Sequence, residues 1–536
     1  MNNKILKTDI LVVGGGPVGL AVGLELGYQG IDCIVIDDTN GEVDDPKVSS
    51  VGVRTMEFCR RWGIAQQIKD AGWSKEHTLD VAWVTSVGGH EIYRVPFPSY
   101  AKRPQPSYTP ESDQVCPQNW FAPIFQKSLG LYPDGSLLLN SRLESFTQDD
   151  KGIVAKVKYV DRNENYEIHA QYLVACDGAR SQIRKACNID APTFHPTQVF
   201  QSIVFTAPKL AEQLGEKNAM VFYLVNPTLQ EPLRAVDGRG SYRLIAKPHE
   251  DGTMRDPVEA IKAAITIDTP FEVISNLQWR LTHRVADSFR QGRIFLGGDA
   301  AHTLSPSGGF GMNTGIGDAV DIAWKLAAVI KGWGGVNLLD TYERDRRPIA
   351  VRNLQQANAN LERSQKRGIP PFIMTDSPEA REIRASMAQG MERSGVKREF
   401  DAPGIHLGIR YESDIVLIEK ASDEEPPKDD PFEWKQSTYP GMRAPHVWLE
   451  DGKSTLDLFG HGFVLMCFKK LAGIENLEKI CQEKGVPLTV HLINNPEIAK
   501  VYEKSYVLVR PDGHVAWRGE NLPSNLDIFI DKLTGN

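Results

Sequence analysis

A chain of 536 residues exceeds what one hydrophobic core accommodates, because cores stop growing at roughly 250 to 300 residues, so two or three domains are expected. Its 41% apolar and 24% charged residues are ordinary for a soluble globular protein and exclude disorder for most of its length. The net charge of -8 without a basic stripe excludes a nucleic-acid partner, and seven scattered cysteines with neither CxxC nor His/Cys clustering at zinc spacing argue for no metal and a reducing compartment.

In chain order, the first long apolar run is ILVVGGGPVGLAVGLELG, at residues 10–27. It is dense in glycine, and Glu25 interrupts it, leaving its charge-free part, residues 10–24, shorter than the roughly 18 residues a spanning helix needs; no small-residue cleavage site follows it. A cytoplasmic protein with no membrane span is expected. Residues 8–38 read instead as strand, tight turn, helix and second strand, a βαβ unit. Gly14, Gly16 and Gly19 form GxGxxG at the turn, Pro17 opens the helix, and Asp37 closes the next strand 23 residues beyond Gly14. Such glycines let a pyrophosphate approach the helix N-terminus, and an acid at that distance accepts ribose hydroxyls. The pattern predicts an adenine dinucleotide site, with Asp38 as the alternative ribose ligand. A turn that merely packs helix on strand is the competing reading. The turn by itself does not choose between NAD and FAD.

Residues 50–72 have a helical period, and KYVDRNENYEIHAQYLVACDG (158–178) reads as a hairpin ending on a strand. From about residue 190 to 290, alternating strands such as QVFQSIVFTA, AMVFYLVN and SYRLIAKP are separated by Pro, Gly and Asp turns, which predicts a mostly antiparallel, substrate-facing sheet. Phe205 and Phe222 are the candidates for its substrate wall, against the usual role of strand aromatics as core. The strand RIFLGG then returns to the first domain, and the next helix carries Ile316, Val320, Ala323, Trp324 and Ala327 on one face. Residues 340–400 are charged and helical, EKASDEEPPKDDPFEWKQ reads as a linker, and the last hundred or so residues form a separate α/β module. The predicted division is 1–188 with 285–420, then 189–284, then 437–536.

Three further motifs make the chain resemble the single-component FAD-dependent aromatic hydroxylases, the group A flavoprotein monooxygenases. They are RTMEFCRRWGI (Arg54 to Ile64), CDGARSQIR with Asp177, Gly178, Ser181 and Arg184 in a DGxxSxxR pattern, and the stretch GRIFLGGDAAHTLSPSGGFGMNTGIGDAVDIAWKLA (Gly292 to Ala327). The tail, PGMRAPHVWLEDGKSTLDLFGHGFVLM and YVLVRPDGHVAWRG, is similar to the thioredoxin-like domain of the phenol and polyketide hydroxylase branch. It lacks CxxC and holds only isolated Cys467 and Cys481, so thiol–disulfide chemistry is not expected there. The fold implied is α/β: a Rossmann-like FAD-binding domain, an inserted mostly antiparallel substrate sheet and a C-terminal thioredoxin-like domain.

The resemblance implies FAD as cofactor, with Asp299 and Gln118 on the ribityl chain, Arg54 near the pyrophosphate and at the chemistry, and Asp177 in the cofactor loop. Gly309, Gly311, Met312 and Asn313 would open a helix whose free N–H groups stabilise charge on reduced flavin. The Pro306 carbonyl would face the substrate and polarise a phenol O–H. Arg180 and Arg184 would position the DG loop and NADPH, with plain surface salt bridges as the competing reading. His302 is read as a structural hydrogen-bonder, and no base is named because Ser49 stands where phenol hydroxylases carry an aspartate. No second GxGxxG followed by an acid occurs, so NADPH or NADH would dock only transiently as co-substrate. The family's flavin swings out to meet it, returns, takes up O2 as a C4a-hydroperoxide and passes oxygen to an electron-rich ring. The activity implied is hydroxylation of a small phenol-like or polyketide-like aromatic, and a homodimer is compatible with it. Baeyer–Villiger or dehalogenating oxygenation, or a non-catalytic flavin-fold binding protein, stay open at this point.

Overall fold

The computed structural model describes residues 4–536 except 44, 46–49, 72, 163, 366–367, 419–423 and 470–472. At its centre the four apolar residues Ile10–Val13 form a strand buried on both faces. A strand without a polar face needs cover on both sides, and it lies inside a six-stranded sheet. The order is Arg290–Gln291, Ile294–Leu296, Tyr172–Ala175, Ile10–Val13, Cys33–Ile36 and Gly135–Leu138, parallel except at the Arg290–Gln291 edge. Pro17 begins the helix Pro17–Tyr28, which packs against the long helix Phe310–Ile330 and the helix Gln118–Leu129.

The hairpin predicted near 158–178 forms from Ile153–Tyr159 and Glu164–Ala170. It belongs to a second sheet, ordered Lys4–Lys7, Glu164–Ala170, Ile153–Tyr159, Ser141–Gln148, and its chain then enters the parallel sheet at Tyr172.

A third sheet of seven strands runs Glu272–Leu281, Gln198–Thr206, Ser241–Ala246, Pro232–Ala235, Val221–Leu224, Val81–Val84, Glu91–Val95. It is antiparallel except where Val221–Leu224 lies parallel to Val81–Val84. The sheet is therefore not confined to 189–284, because two strands come from upstream. The apolar stretch VAWV reveals a strand, but its partner is far along the chain and periodicity does not encode pairing. One face is covered by Leu210–Leu214 and Pro257–Ala264, and part of the other by Pro378–Ser394 over Val81, Trp83 and Val221.

The C-terminal sheet, Leu488–Leu492, Phe463–Cys467, Tyr506–Val509, Val515–Gly519, is flanked by Ile474–Glu483 and Leu526–Thr534. Its core merges with the body of the protein: Trp324 and Trp333 meet Phe463 edge-on. Beneath them Arg510 donates to Asp321, Asp345 and Asp512 at 2.9, 3.1 and 2.7 Å, and Lys325 donates to Asp321 and Asp345. Burial raises Asp321, whereas Lys325 and Arg510 outweigh burial at Asp345 and hold it low. Among the described residues no helix is long and apolar enough to cross a membrane.

Candidate functional site

The two glycine-rich junctions meet in space because their strands, Ile10–Val13 and Ile294–Leu296, both flank Tyr172–Ala175. Val18, on the first turn of its helix, fills the surface against Gly298 and Gly315: a Cβ on either would fall 2.8 or 2.5 Å from a Val18 methyl. At the first junction Gly14 adopts φ +110°, and a Cβ there would lie 2.2 Å from the Cys176 carbonyl oxygen. Only glycine fits that turn. Asp37 folds back on it, accepting from Gly15 N–H at 2.6 Å and from the Thr39 amide and hydroxyl at 2.9 and 2.5 Å. Asp38 turns outward to Arg142 at 3.2 Å, so Asp37 is the acid placed at the turn. A Cβ on Gly16 would meet no atom within 4 Å.

At the second junction Asp299 is exposed while Gly298 and Ala300 on either side of it are buried. The short turn that presents it is held by Asp318, which accepts from Gly298 N–H at 3.1 Å, from His302 Nε2 at 2.7 Å and from Arg346 Nε at 2.8 Å. Burial opposes ionisation of Asp318, but His302 and Arg346 outweigh it and hold the carboxyl at about 2. A depressed folded-state value stabilises the fold above the ordinary aspartate range and ceases to do so below the folded value. Thermal stability should therefore fall between pH about 4 and 2 by about 2 kcal/mol from this carboxylate, and Asp318→Asn should flatten that part of the melting profile. An acid limb of equal depth in the variant would refute the assignment.

The helix Phe310–Ile330 starts from Gly308 and Gly309, both at positive φ, and a Cβ on Gly311 would meet nothing within 4 Å. Met312 is buried. Gln118 is half-buried at the first turn of its helix. Asp177 caps the DG helix through Oδ2, accepting from Gln182 and Ile183 N–H, while its Oδ1 is buried without a hydrogen-bond partner. Arg184, beside it, donates to the Ala300 carbonyl at 3.1 Å and so ties the DG motif to the GD motif.

Several predicted positions behave differently. Asn313 spends its amide inside the protein: Oδ1 accepts from Gly52 N–H and Thr55 Oγ1, and Nδ2 donates to the Ser50 and Gly309 carbonyls. It pins the Ser50–Gly52 segment to the helix start and leaves only its backbone for a cofactor. Pro306 is exposed, but its carbonyl accepts from Gly309 N–H at 3.0 Å, closing the turn. Arg54 donates to Glu57 at 2.7 Å and to the Asp512 carbonyl at 2.6 Å, on the C-terminal domain. Ser49 lies outside the described residues.

Phe205 and Phe222 are corrected too. Both are buried in the core under Pro257–Ala264, and Phe205 stacks on Tyr242. Alternation along a strand sends the neighbouring side chains to the opposite face. That face carries Trp83 stacked on Tyr223 at 5.1 Å, Phe200 stacked on Trp279 at 5.0 Å, and two arginines in direct register, Arg234 and Arg243. Arg243 bonds Asp45, in the segment that follows Asp37, so this face meets the nucleotide-binding unit. Arg234 is half-buried and has no hydrogen-bond or ion-pair partner among the described residues. Burial, aided by the like charge of Arg243, lowers its affinity for its proton. The sequence carried no signal for them: LRA and YRL show the apolar–polar alternation of any strand with one core face, and the pairing of the two arginines depends on strand register.

Residues 7–357 match the FAD binding domain family, and residues 437–536 match the aromatic-ring hydroxylase C-terminal domain. The chain belongs to the FAD-dependent aromatic hydroxylases. Within this hydroxylase family it is 30% identical to tetracenomycin A2 monooxygenase-dioxygenase of Streptomyces glaucescens, over 97% of this chain and 94% of that one. It is 27% identical to phenol 2-monooxygenase of a Pseudomonas species, over 99% and 93%. Among solved structures, RebC soaked with chromopyrrolic acid and holding 7-carboxy-K252c superposes with a TM-score of 0.94 at 49% identity, covering 99% of each chain. FAD is the cofactor of the hydroxylase fold, and the open ground before Gly16 and Gly311, with the unpartnered Asp177 Oδ1, fits it.

Proposed function

We propose that the protein is an NAD(P)H- and O2-dependent FAD monooxygenase that acts on a fused-ring aromatic bearing a carboxylate. The observation that carries this reading is the Arg234–Arg243 pair on an aromatic-lined sheet face, with Arg234 lacking an acidic partner. Two cations side by side, one of them unpaired, call for an anion, and two guanidinium forks match a carboxylate. The relative RebC binds 7-carboxy-K252c, a carboxylated ligand.

Bound FAD supplies two-electron reduction by a nicotinamide and activation of O2. The chain's own residues would do the rest. Gly14 and Gly16 admit the pyrophosphate to the start of Pro17–Tyr28, Asp37 accepts from the ribose, and Asp299 and Gln118 hold the ribityl hydroxyls. The first turn of Phe310–Ile330 directs N–H groups and the positive helix end at the flavin ring, where negative charge on it is stabilised. Phe200 and Trp279 provide stacking surface and exclude water. Arg184 and the neighbouring Arg284, whose Nε is buried without a hydrogen-bond partner, form a cationic patch beside the DG motif suited to the nicotinamide nucleotide's phosphates.

The purified protein should be yellow, and a polycyclic aromatic acid should accelerate its NAD(P)H oxidation more than simple phenols do, with a product heavier by one oxygen. Asp299→Ala should lower FAD occupancy by about tenfold or more while the far-ultraviolet spectrum is unchanged, as expected for loss of hydrogen bonds to the ribityl chain. A colourless protein that no flavin reconstitutes, or acid-independent turnover, would refute the proposal.

A further inference from the structure

Away from the flavin ground, the C-terminal domain and the helix Val53–Arg61 enclose a cavity of about 220 Å3. Arg54, Arg60 and Arg61 line it together with Tyr28, Phe58, Phe459 and Gly513. We propose that this interdomain cavity is a binding site for a small multivalent oxyanion of the phosphate class, with Arg61 as its principal donor.

The carboxylates of the wall are already engaged. Glu57 is shared between Arg54 and the buried Arg443, and Asp457 takes both forks of Arg60. Arg61 is different. Its side chain is 8% exposed, and its one hydrogen-bond partner among the described residues is Glu25, at 3.3 Å. Glu25 serves Trp62 at 2.7 Å and Gln29 at 3.1 Å as well, and burial raises its carboxyl against the pull of Arg61, which weakens it as a counter-charge. A buried guanidinium with one long contact out of five donors lacks the pairing that buried charge requires.

Arg61 is also not alone. A Cβ built on Gly513 would stand 3.1 Å from Arg54 Nη2 and 3.9 Å from Arg61 Nη2, so two guanidinium groups converge on one point of the C-terminal domain. Each is stacked over Phe58, at 4.3 and 5.5 Å from the ring centroid, and Arg61 also over Tyr28 at 5.9 Å. Stacking fixes the planes of the forks and leaves N–H edges toward the cavity. Two converging cations repel unless an anion sits between them, and an oxyanion accepts from both forks. The volume admits phosphate or pyrophosphate. Such an ion would bridge helix Val53–Arg61 to the Asp512–Gly513 turn and strengthen the domain seam.

Inorganic phosphate should be titrated into the FAD-loaded protein by calorimetry at constant ionic strength set with chloride. One saturable site per chain is expected, with flavin absorbance constant throughout. Arg61→Met keeps the apolar stem over the rings and should weaken binding by about tenfold or more, as expected for loss of a charge-assisted contact. Competition by ADP would assign the site to a nucleotide's phosphates, and its absence to a free oxyanion. No saturable heat in the unsubstituted protein, equal binding in the variant, or phosphate uptake accompanied by flavin release would each overturn the proposal. If the variant does not fold, the first and third of these still decide.

Discussion

Replacing Arg510 with methionine is expected to cost about 3–5 kcal/mol, the usual penalty for removing one partner of a fully buried ion network. The C-terminal domain supplies this guanidinium, yet two of its three carboxylates, Asp321 and Asp345, belong to the body of the protein, and Arg510, Asp321 and Asp345 are fully buried. Without Arg510, Lys325 faces Asp321, Asp345 and Asp512 as the remaining cation of the network. Uncompensated carboxylates in low dielectric must take up protons or admit water. A lower melting temperature and earlier proteolytic release of a fragment near residues 437–536 should be seen together. The double variant Arg510→Met with Asp321→Asn should recover part of the loss, because it removes one orphaned charge. An unchanged melting temperature in the single variant would show that the network does not hold the domain.

The second large effect is expected on specificity. Arg234→Met should lower kcat/KM for a carboxylated fused-ring substrate by about 30- to 150-fold, equivalent to about 2–3 kcal/mol for a hydrogen bond to a charged group. Turnover of an aromatic lacking the carboxylate should change much less, and FAD content should stay the same, because Arg234 lies on the sheet face and not at the glycine turns. Most of the loss should be in KM if the pair holds the acid equally in ground and transition states. Equal losses for acid and neutral substrates would remove the carboxylate assignment.

Much of the site was legible before the structure because glycine and short acids are read locally. Gly14 needs positive φ against the Cys176 carbonyl, and Asp37 needs only to end the next strand, so both follow from spacing along one βαβ unit. The GD motif is legible for the same reason. The positions that stayed illegible all depend on which side of an element faces what. Phe205 and Arg243 stand on adjacent strands and point to opposite faces, and a period of two does not say which face meets the flavin domain. The bonds of Arg54 to Glu57 and Asp512 were not legible because its helix also faces a domain that begins nearly four hundred residues later.

By itself the sequence determined the local devices: the two glycine-rich junctions, the acids that close them, and the apolar runs that must be buried between helices. These are fixed by backbone sterics and by the one-residue chemistry of turns and caps. The tertiary structure alone decided that Asp318 holds the Asp299 turn, that Arg234 and Arg243 stand side by side, that Arg54 and Arg61 face the C-terminal domain, and that this domain's Arg510 reaches into the body. Those contacts join residues distant in sequence, and their energies arise from burial and from charges brought within a few ångströms, which a linear pattern does not specify.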